Sequence, residues 1–141
     1  LYDFRDVIPF GAEHSTVARA VADAGQQMGV KGAADPMPQE SLFVRSDHYR
    51  FVIRGVPSVF LMTGYPNGGE AKWKSFLGGA YHSPKDDLSQ RIDWNAAGRF
   101  GELNYRIART LAAADERPMW YRGSYFGETF GGSQPRAVRQ P

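Results

Sequence analysis

The sequence predicts an α/β fold, because strand-sized apolar segments alternate along the chain with segments whose apolar residues recur at helical spacing. The most apolar run, residues 57–63, has the composition of a strand buried on both faces. The length of 141 residues suits one domain with a sizeable core. A composition of 42% hydrophobic and 23% charged residues is typical of globular proteins, and it excludes a disordered chain, a collagen and a coiled coil.

The first third of the chain predicts a strand, a helix and a loop in that order. Residues 4–11 indicate a short strand that ends in a turn. Ser15 is the expected N-cap of the helix, and Gly29 is its expected end. The apolar stripe of this helix consists of Val17, Val21, Ala24 and Met28. Residues 32–40 are rich in proline and small residues, which is typical of a loop.

The middle of the chain predicts a second helix, the buried strand and a long loop. Ser46 and Asp47 are expected to open the helix, and Gly55 is expected to stop it. The strand at residues 57–63 follows. Residues 64–81 contain 5 glycines and are expected to form a long loop. A loop of that length inside a compact domain is usually functional or mobile.

The last third predicts one long helix and a tail. Asp93 is the expected N-cap of the helix. Its apolar face consists of Ala96, Phe100, Leu103, Ile107, Leu111 and Ala114. We therefore divide the chain into an α/β domain at residues 1–116 and a tail at residues 117–141. The aromatic half of the tail is expected to pack onto the domain, and about the last ten residues, rich in Gly, Pro and Arg, are expected to be disordered.

Composition and missing motifs exclude several classes of function. The chain has no cysteine, so disulfide scaffolds, iron–sulfur sites and thiol nucleophiles are excluded. The net charge is only +2, and the excess of arginine lies in the tail, so no basic face for nucleic acid is predicted. No apolar run approaches the ~20 residues of a membrane span. The G-x-S-x-G, P-loop, G-x-G-x-x-G and H-E-x-x-H motifs are absent.

Histidines and nearby acids are the remaining candidates for chemistry. His82 precedes Asp86 by 4 residues, so it suits either a metal ligand oriented by a carboxylate or a surface histidine. Asp47 either supports a helix start or accepts a hydrogen bond that holds a catalytic group. Arg45 is either a substrate-facing cation or an ordinary surface residue. His14 is expected to be structural.

Four short motifs occur in a specific order along the chain. They are GAEHS at residues 11–15, FVRSDHYRF at 43–51, GVP at 55–57 and YHSPKD at 81–86. Together they resemble the C-terminal half of the co-catalytic di-zinc aminopeptidase family, which includes bacterial leucyl-type aminopeptidases, glutamate carboxypeptidases and animal glutaminyl cyclases. This resemblance implies part of a three-layer α/β/α sandwich with a mostly parallel central sheet.

The resemblance also implies an activity and a set of site residues. The intact protein would be a zinc-dependent exopeptidase that hydrolyses N-terminal peptide bonds with metal-activated water and a glutamate base. His82 matches the last zinc ligand of the family, and Asp47 matches the acid that orients the general base. The other matches are the substrate-binding positions Arg45, Ser46 and Tyr81, and Asp86 as the acid that follows the ligand histidine.

The chain also departs from the family pattern. The family's H-x-D and Glu-Glu motifs are absent, and Phe43 stands where some relatives have a tyrosine that aids the oxyanion. We therefore expect a fragment of a parent enzyme that binds a peptide and one or two zinc ions. Alone, the fragment is expected to be inactive and to pair with its missing N-terminal half or with itself.

Two other functions stay open at this point. One is a glutaminyl cyclase-like acyltransferase, and the other is a non-catalytic binding or scaffold domain of the same fold. Relatives of the family are often periplasmic or secreted, so the resemblance implies the same location for this protein.

Overall fold

The fold is built on a small mixed sheet. The structure, a computed structural model, describes residues 1–140. Its strands are β1 (Asp6–Phe10), β2 (Lys31–Gly32) and β3 (Phe60–Thr63), in the order β2-β1-β3. Strand β1 pairs with β2 in parallel and with β3 in antiparallel orientation. The α/β class is therefore confirmed, but a mostly parallel sheet is wrong for the described residues, because the longer of the two pairings is antiparallel.

Five helices surround the sheet. They are α1 (Val17–Met28), α2 (Tyr49–Val52), α3 (Gly69–Gly79), α4 (Trp94–Ala112) and α5 (Tyr125–Phe130), and three single 3-10 turns lie at Ala12–His14, Pro38–Glu40 and Leu42–Val44. None of these helices has the length and apolarity that a membrane crossing requires. Helices α1 and α4 pack against each other.

The strand residues alternate between two apolar cores, one on each face of the sheet. Val7 and Leu61 belong to the first core, which α1 and α4 cover. Ile8 and Met62 belong to the second core, where Phe43, Val52 and Trp120 are also buried. Adjacent strand residues point to opposite faces, so each face of this sheet needs its own cover. The long helices α1 and α4 cover the first face, and α2 and the C-terminal segment cover the second.

Helix α1 forms where its apolar stripe predicts it. Val17 and Val21 are buried, and Gly29 ends the helix with a left-handed φ of 63°. The predicted cap is wrong in position, because the N-cap residue is Thr16. Ser15 still contributes, since its hydroxyl accepts a long hydrogen bond of 3.4 Å from the backbone N–H of Val17.

Helix α2 is shorter than predicted and starts later. It begins at Tyr49, and the N-cap position belongs to His48, whose side chain makes no capping hydrogen bond. The carbonyls of Ser46 and Asp47 instead accept hydrogen bonds from the N–H groups three residues on, at 3.0 and 3.1 Å. That spacing is typical of a 3-10 turn, so residues 46–48 form a tight turn rather than the first turn of an α-helix.

The expected long loop at residues 64–81 is wrong, because α3 occupies most of it. An ion pair of 2.7 Å between Glu70 and Lys74 spans one turn of this helix. Trp73 joins the helix to the sheet, since its indole N–H donates a hydrogen bond of 3.2 Å to the Thr63 carbonyl. These contacts outweigh the low helix propensity of the glycines that suggested a loop.

The strand expected at residues 57–63 is confirmed only in its second half, since β3 starts at Phe60. Leu61, Met62 and Thr63 are buried, as a strand covered on both faces requires. Within the described residues β3 has one neighbour, β1, and therefore lies at an edge of the sheet.

Helix α4 has the N-cap and the apolar stripe that the sequence predicts. The Asp93 carboxylate accepts a hydrogen bond of 2.9 Å from the backbone N–H of Ala96. Leu103 and Ile107 are buried in the first core. Ala114 is an exception, because it lies beyond the helix end and is exposed.

The aromatic half of the tail packs onto the domain, as expected. Trp120 is fully buried, and Phe126 and Phe130 pack against the second core. The expectation of disorder in the last ten residues is wrong for part of them, since Ala137 pairs with the backbone around Tyr121. Residue 141 lies outside the described residues.

Candidate functional site

The R-S-D-H turn, residues 45–48, connects the Leu42–Val44 3-10 helix to α2. It carries the candidate residues Arg45, Ser46 and Asp47. Phe43 anchors this turn because its buried ring fits under Gly11. A Cβ added at Gly11 would lie 2.0 Å from Phe43 Cε2, and Gly11 has a φ of +88°. Only glycine therefore allows the chain after β1 to approach the Phe43 ring so closely. The turn is thus held close to the carboxyl end of β1.

The side chains on this turn differ in exposure and partners. The Arg45 guanidinium is exposed and donates hydrogen bonds of 3.1 Å to the Glu40 carboxylate and to the Glu40 carbonyl. Ser46 is half-buried and Asp47 is exposed. The N-cap position of α2 belongs to His48, so Asp47 is not the capping residue of this helix. The turn thus carries two exposed charged side chains, of which Arg45 is paired with Glu40.

His48 lies beneath the turn in an aromatic environment. Its ring stacks on Phe60 with centroids 5.4 Å apart and an angle of 11°, and its centroid lies 5.0 Å from that of Phe43. Both ring nitrogens are buried without a hydrogen-bond partner in the described chain. Burial lowers the pKa of His48, and the Phe43 backbone and then the Asp47 carboxylate oppose the shift without cancelling it. The imidazole is therefore neutral at pH 7.

Tyr81 and His82 lie in the loop that follows α3. Their rings stack with centroids 3.7 Å apart, and Tyr81 also meets the edge of Phe76. Both residues are exposed, and His82 has a left-handed φ of 54°. Histidine adopts a positive φ more often than most residues other than glycine, and Ser41 and Asn67 share this conformation. The loop thus presents the His82 imidazole to solvent in a defined orientation.

Asp86 does not contact His82 in this structure. Its carboxylate accepts a hydrogen bond of 2.7 Å from the Gln90 side chain, and its backbone N–H donates to the Ser83 carbonyl. The Ser83 hydroxyl accepts from the N–H of Lys85 at 3.2 Å, which tightens the same loop. Asp86 therefore stabilises the loop that carries His82, and does not touch the imidazole.

The candidate residues form two separate groups, one on the turn at residues 45–47 and one in the loop at residues 81–86. Among residues 1–140 no three His, Asp or Glu side chains lie close enough together to hold a metal ion. A catalytic zinc takes about three protein ligands. The residues of this chain therefore do not make a zinc site by themselves, and His82 can be at most one member of a larger ligand set.

His14 packs in the same aromatic environment as His48. Its ring lies 4.8 Å from Phe126 and 5.6 Å from Phe43, and its Nε2 lies 3.4 Å from the Glu13 carboxylate. Burial lowers the pKa of His14, with Glu13 opposing the shift and Arg139 adding to it. The ring packing agrees with the structural role that we predicted.

Sequence reasoning missed the cluster that joins these residues. His14, Phe43, His48, Phe60 and Phe126 form one chain of ring contacts. Two of these contacts join distant parts of the sequence, since Phe126 lies 83 residues after Phe43 and 112 residues after His14. No periodicity or local motif signals such a cluster, and only the general excess of aromatic residues in the tail hinted at it.

Comparison with known proteins gives one result for this chain. The family model described as Peptidase family M28 matches residues 4–108. The matched range includes both groups of candidate residues and ends within α4. Comparisons with curated proteins and with solved structures give no match.

Proposed function

Because this chain belongs to peptidase family M28, a family of co-catalytic zinc peptidases, we propose that it is part of a zinc-dependent aminopeptidase that hydrolyses N-terminal peptide bonds. The family match carries this proposal, since it spans residues 4–108 and includes the R-S-D-H turn and the Y-H loop. The exposure of Arg45, Asp47 and His82 supports it, because each side chain is accessible to a ligand.

His82 is the proposed zinc ligand of this chain. Its exposed ring is oriented by stacking on Tyr81 and by an uncommon backbone conformation. We propose that the remaining ligands and the general base come from residues outside these 141.

The turn at residues 45–47 is the proposed substrate-binding and positioning region. Arg45 keeps a charged, exposed guanidinium that can bind carbonyl or carboxylate oxygens of a peptide. Asp47, whose carboxylate caps no helix, is proposed to orient the general base. Ser46 and Tyr81 are proposed to contact the substrate. Asp86 is proposed to act on His82 only through the loop that both residues share.

A non-catalytic domain is the second candidate, because residues 1–140 hold no cluster of three potential ligands. The experiment that separates the candidates uses the intact natural protein, with zinc content measured by mass spectrometry. Turnover is measured on an aminoacyl-nitroanilide and on a peptide with N-terminal glutamine. We expect nitroanilide hydrolysis that a chelator abolishes and zinc restores. Cyclisation of the glutamine peptide without nitroanilide hydrolysis would indicate a glutaminyl cyclase, and absence of both zinc and turnover would indicate a binding or scaffold domain.

The ligand assignment is tested by His82→Ala in the same protein. Zinc content and turnover should fall together, because an alanine removes one ligand nitrogen. The matched control is His14→Ala, which removes a packed imidazole and should lower mainly stability. Full zinc content and full turnover in the His82 variant would refute its role as a ligand.

A further inference from the structure

We infer that the C-terminal aromatic segment, residues 120–130, holds the R-S-D-H turn at residues 45–48 in its substrate-binding conformation, with Phe126 as the positioning residue. This inference rests on the proposed function, because it concerns the same binding turn. The segment lies outside the range that the family model matches, which ends at residue 108. The family match therefore does not account for this segment.

One end of the aromatic segment is attached to the turn that follows α2. Trp120 is fully buried, and its indole N–H donates a hydrogen bond of 2.9 Å to the Gly55 carbonyl. Phe130, at the other end of the segment, also reaches Gly55, since a Cβ added there would lie 2.7 Å from the Phe130 carbonyl oxygen. The C-terminal end of α2 is thus enclosed by the segment.

The middle of the segment contacts the residue that anchors the R-S-D-H turn. Phe126 meets Phe43 edge-to-face, with centroids 4.9 Å apart and an angle of 73°. Phe43 in turn lies against His48 and under Gly11. Since Phe43 precedes Arg45 by two residues, a shift of its ring would move the backbone that carries the guanidinium. Phe126 can therefore influence substrate binding without touching the substrate.

Backbone hydrogen bonds fix the segment to the start of α1. The Tyr121 N–H donates to the His14 carbonyl at 2.9 Å, and the Thr16 N–H donates to the Met119 carbonyl at 2.9 Å. The Met119 N–H donates in return to the Thr16 hydroxyl at 2.9 Å. These bonds place the segment in a defined register, so that α5 and Phe126 cannot slide along the aromatic cluster. A fixed register is what a positioning element requires.

The test compares three variants in the intact natural protein. Phe126→Ala removes the ring contact with Phe43, and Phe126→Leu keeps most of the apolar volume. Tyr105→Ala is the matched control, because Tyr105 is an aromatic residue on α4 that is 58% exposed and has no ring contact with Phe126 or Phe43. Two quantities are measured: hydrogen exchange of the amides at residues 43–48, and kcat and KM on an aminoacyl-nitroanilide.

We expect Phe126→Ala to increase the exchange of residues 43–48 and to lower kcat/KM about tenfold, mainly through KM, since small misplacements of binding groups cost rate on this scale. Phe126→Leu should lose about threefold or less. Tyr105→Ala should change neither quantity. If Phe126→Ala loses cooperative unfolding, the test is whether Phe126→Leu raises KM while Tyr105→Ala leaves it unchanged.

The outcomes separate this inference from the proposed function. A wild-type protein without turnover refutes the proposed function before any variant is compared, and the inference falls with it. Unchanged KM and kcat in Phe126→Ala, with an active wild type, refute the inference alone, whether or not the exchange at residues 43–48 increases. A loss confined to kcat, with unchanged KM, also contradicts it, because the positioned groups are the substrate-binding ones.

Discussion

Asp47 offers a direct test between a structural and a functional role. Its side chain is exposed, and the N-cap position of α2 belongs to His48. We therefore expect Asp47→Asn in the intact natural protein to lower turnover strongly while thermal stability changes little. The loss should come from the missing negative charge beside the general base, whose pKa sets the pH–rate profile.

Asp93→Ala is the control for this prediction. Asp93 caps α4 through a hydrogen bond of 2.9 Å, so its replacement should cost about 1 kcal/mol of stability and leave turnover intact. Thermal melts and steady-state kinetics on both variants check the pair. An Asp47→Asn variant as active as the wild type would show that Asp47 is an ordinary surface residue.

His14 and His48 together make stability depend on pH. Burial lowers the pKa of both side chains from the ordinary value of 6.5. The unfolded chain therefore binds more protons than the folded chain between the folded pKa values and about pH 6.5. The free energy of unfolding should be fully maintained above pH 6.5 and should fall as the pH decreases below it. Urea unfolding followed between pH 8 and pH 5 measures this dependence.

His48→Phe tests which histidine is responsible. Both nitrogens of His48 are buried without a partner, and the ring lies between Phe43 and Phe60. Replacing an unpaired polar group by an apolar group of similar shape is nearly neutral, so stability at pH 8 should change little. The loss below pH 6.5 should become smaller. A variant with an unchanged acid dependence would show that His48 does not contribute.

At the scale of single residues, the sequence points to candidate site residues only where a short motif contains them. The order of the R-S-D-H and Y-H motifs predicts Arg45, Asp47 and His82 as site residues, and these assignments stay predictions. The aromatic burial of His48 could not be predicted, because it depends on Phe60, a strand residue that contacts His48 only after the sheet has formed. A motif indicates which residues could take part in chemistry, whereas the burial of a residue depends on contacts between segments that are distant in sequence.

Element prediction succeeded where amphipathic periodicity was strong and failed where glycine was dense. Helices α1 and α4 follow their apolar stripes, and α4 also starts at its predicted cap. Helix α3 was missed because its glycines suggested a loop, while tertiary contacts of Trp73 with the sheet stabilise it. Helix α2 was overextended because Ser46 and Asp47 look like a helix start but form a tight turn.

Gly55 tests how tightly α2 is joined to the C-terminal aromatic segment. It has a φ of +82°, and a Cβ there would lie 2.7 Å from the Phe130 carbonyl oxygen. Gly55→Ala should therefore combine left-handed strain, about 1–2 kcal/mol, with a displacement of the backbone at Phe130. Gly123→Ala is the control, because Gly123 has a φ of +76° with no atom within 4 Å and so isolates the strain. Equal losses in urea unfolding for the two variants would contradict the close approach.

The whole molecule has a sheet with two open edges. Strand β1 is paired on both sides, whereas β2 and β3 each have one neighbour within the described residues. Both residues of β2 are exposed. A groove of about 1000 Å³ runs between α1 and this edge of the sheet, and its lining includes Val30, Ala22 and Ala33. Open edges beside apolar surface favour pairing with another chain.

We therefore predict that the isolated 141-residue chain is not a monomer in solution and self-associates through the groove. Sedimentation velocity at several concentrations should show species larger than 15.7 kDa. Ala22→Glu places a charge in the groove and should shift the chain toward monomer without loss of fold, because Ala22 is exposed. Ala112→Glu, at an exposed position on α4 outside the groove, should leave the association unchanged. A stable monomer that unfolds cooperatively at all concentrations would mean that the three strands and their two cores are sufficient by themselves.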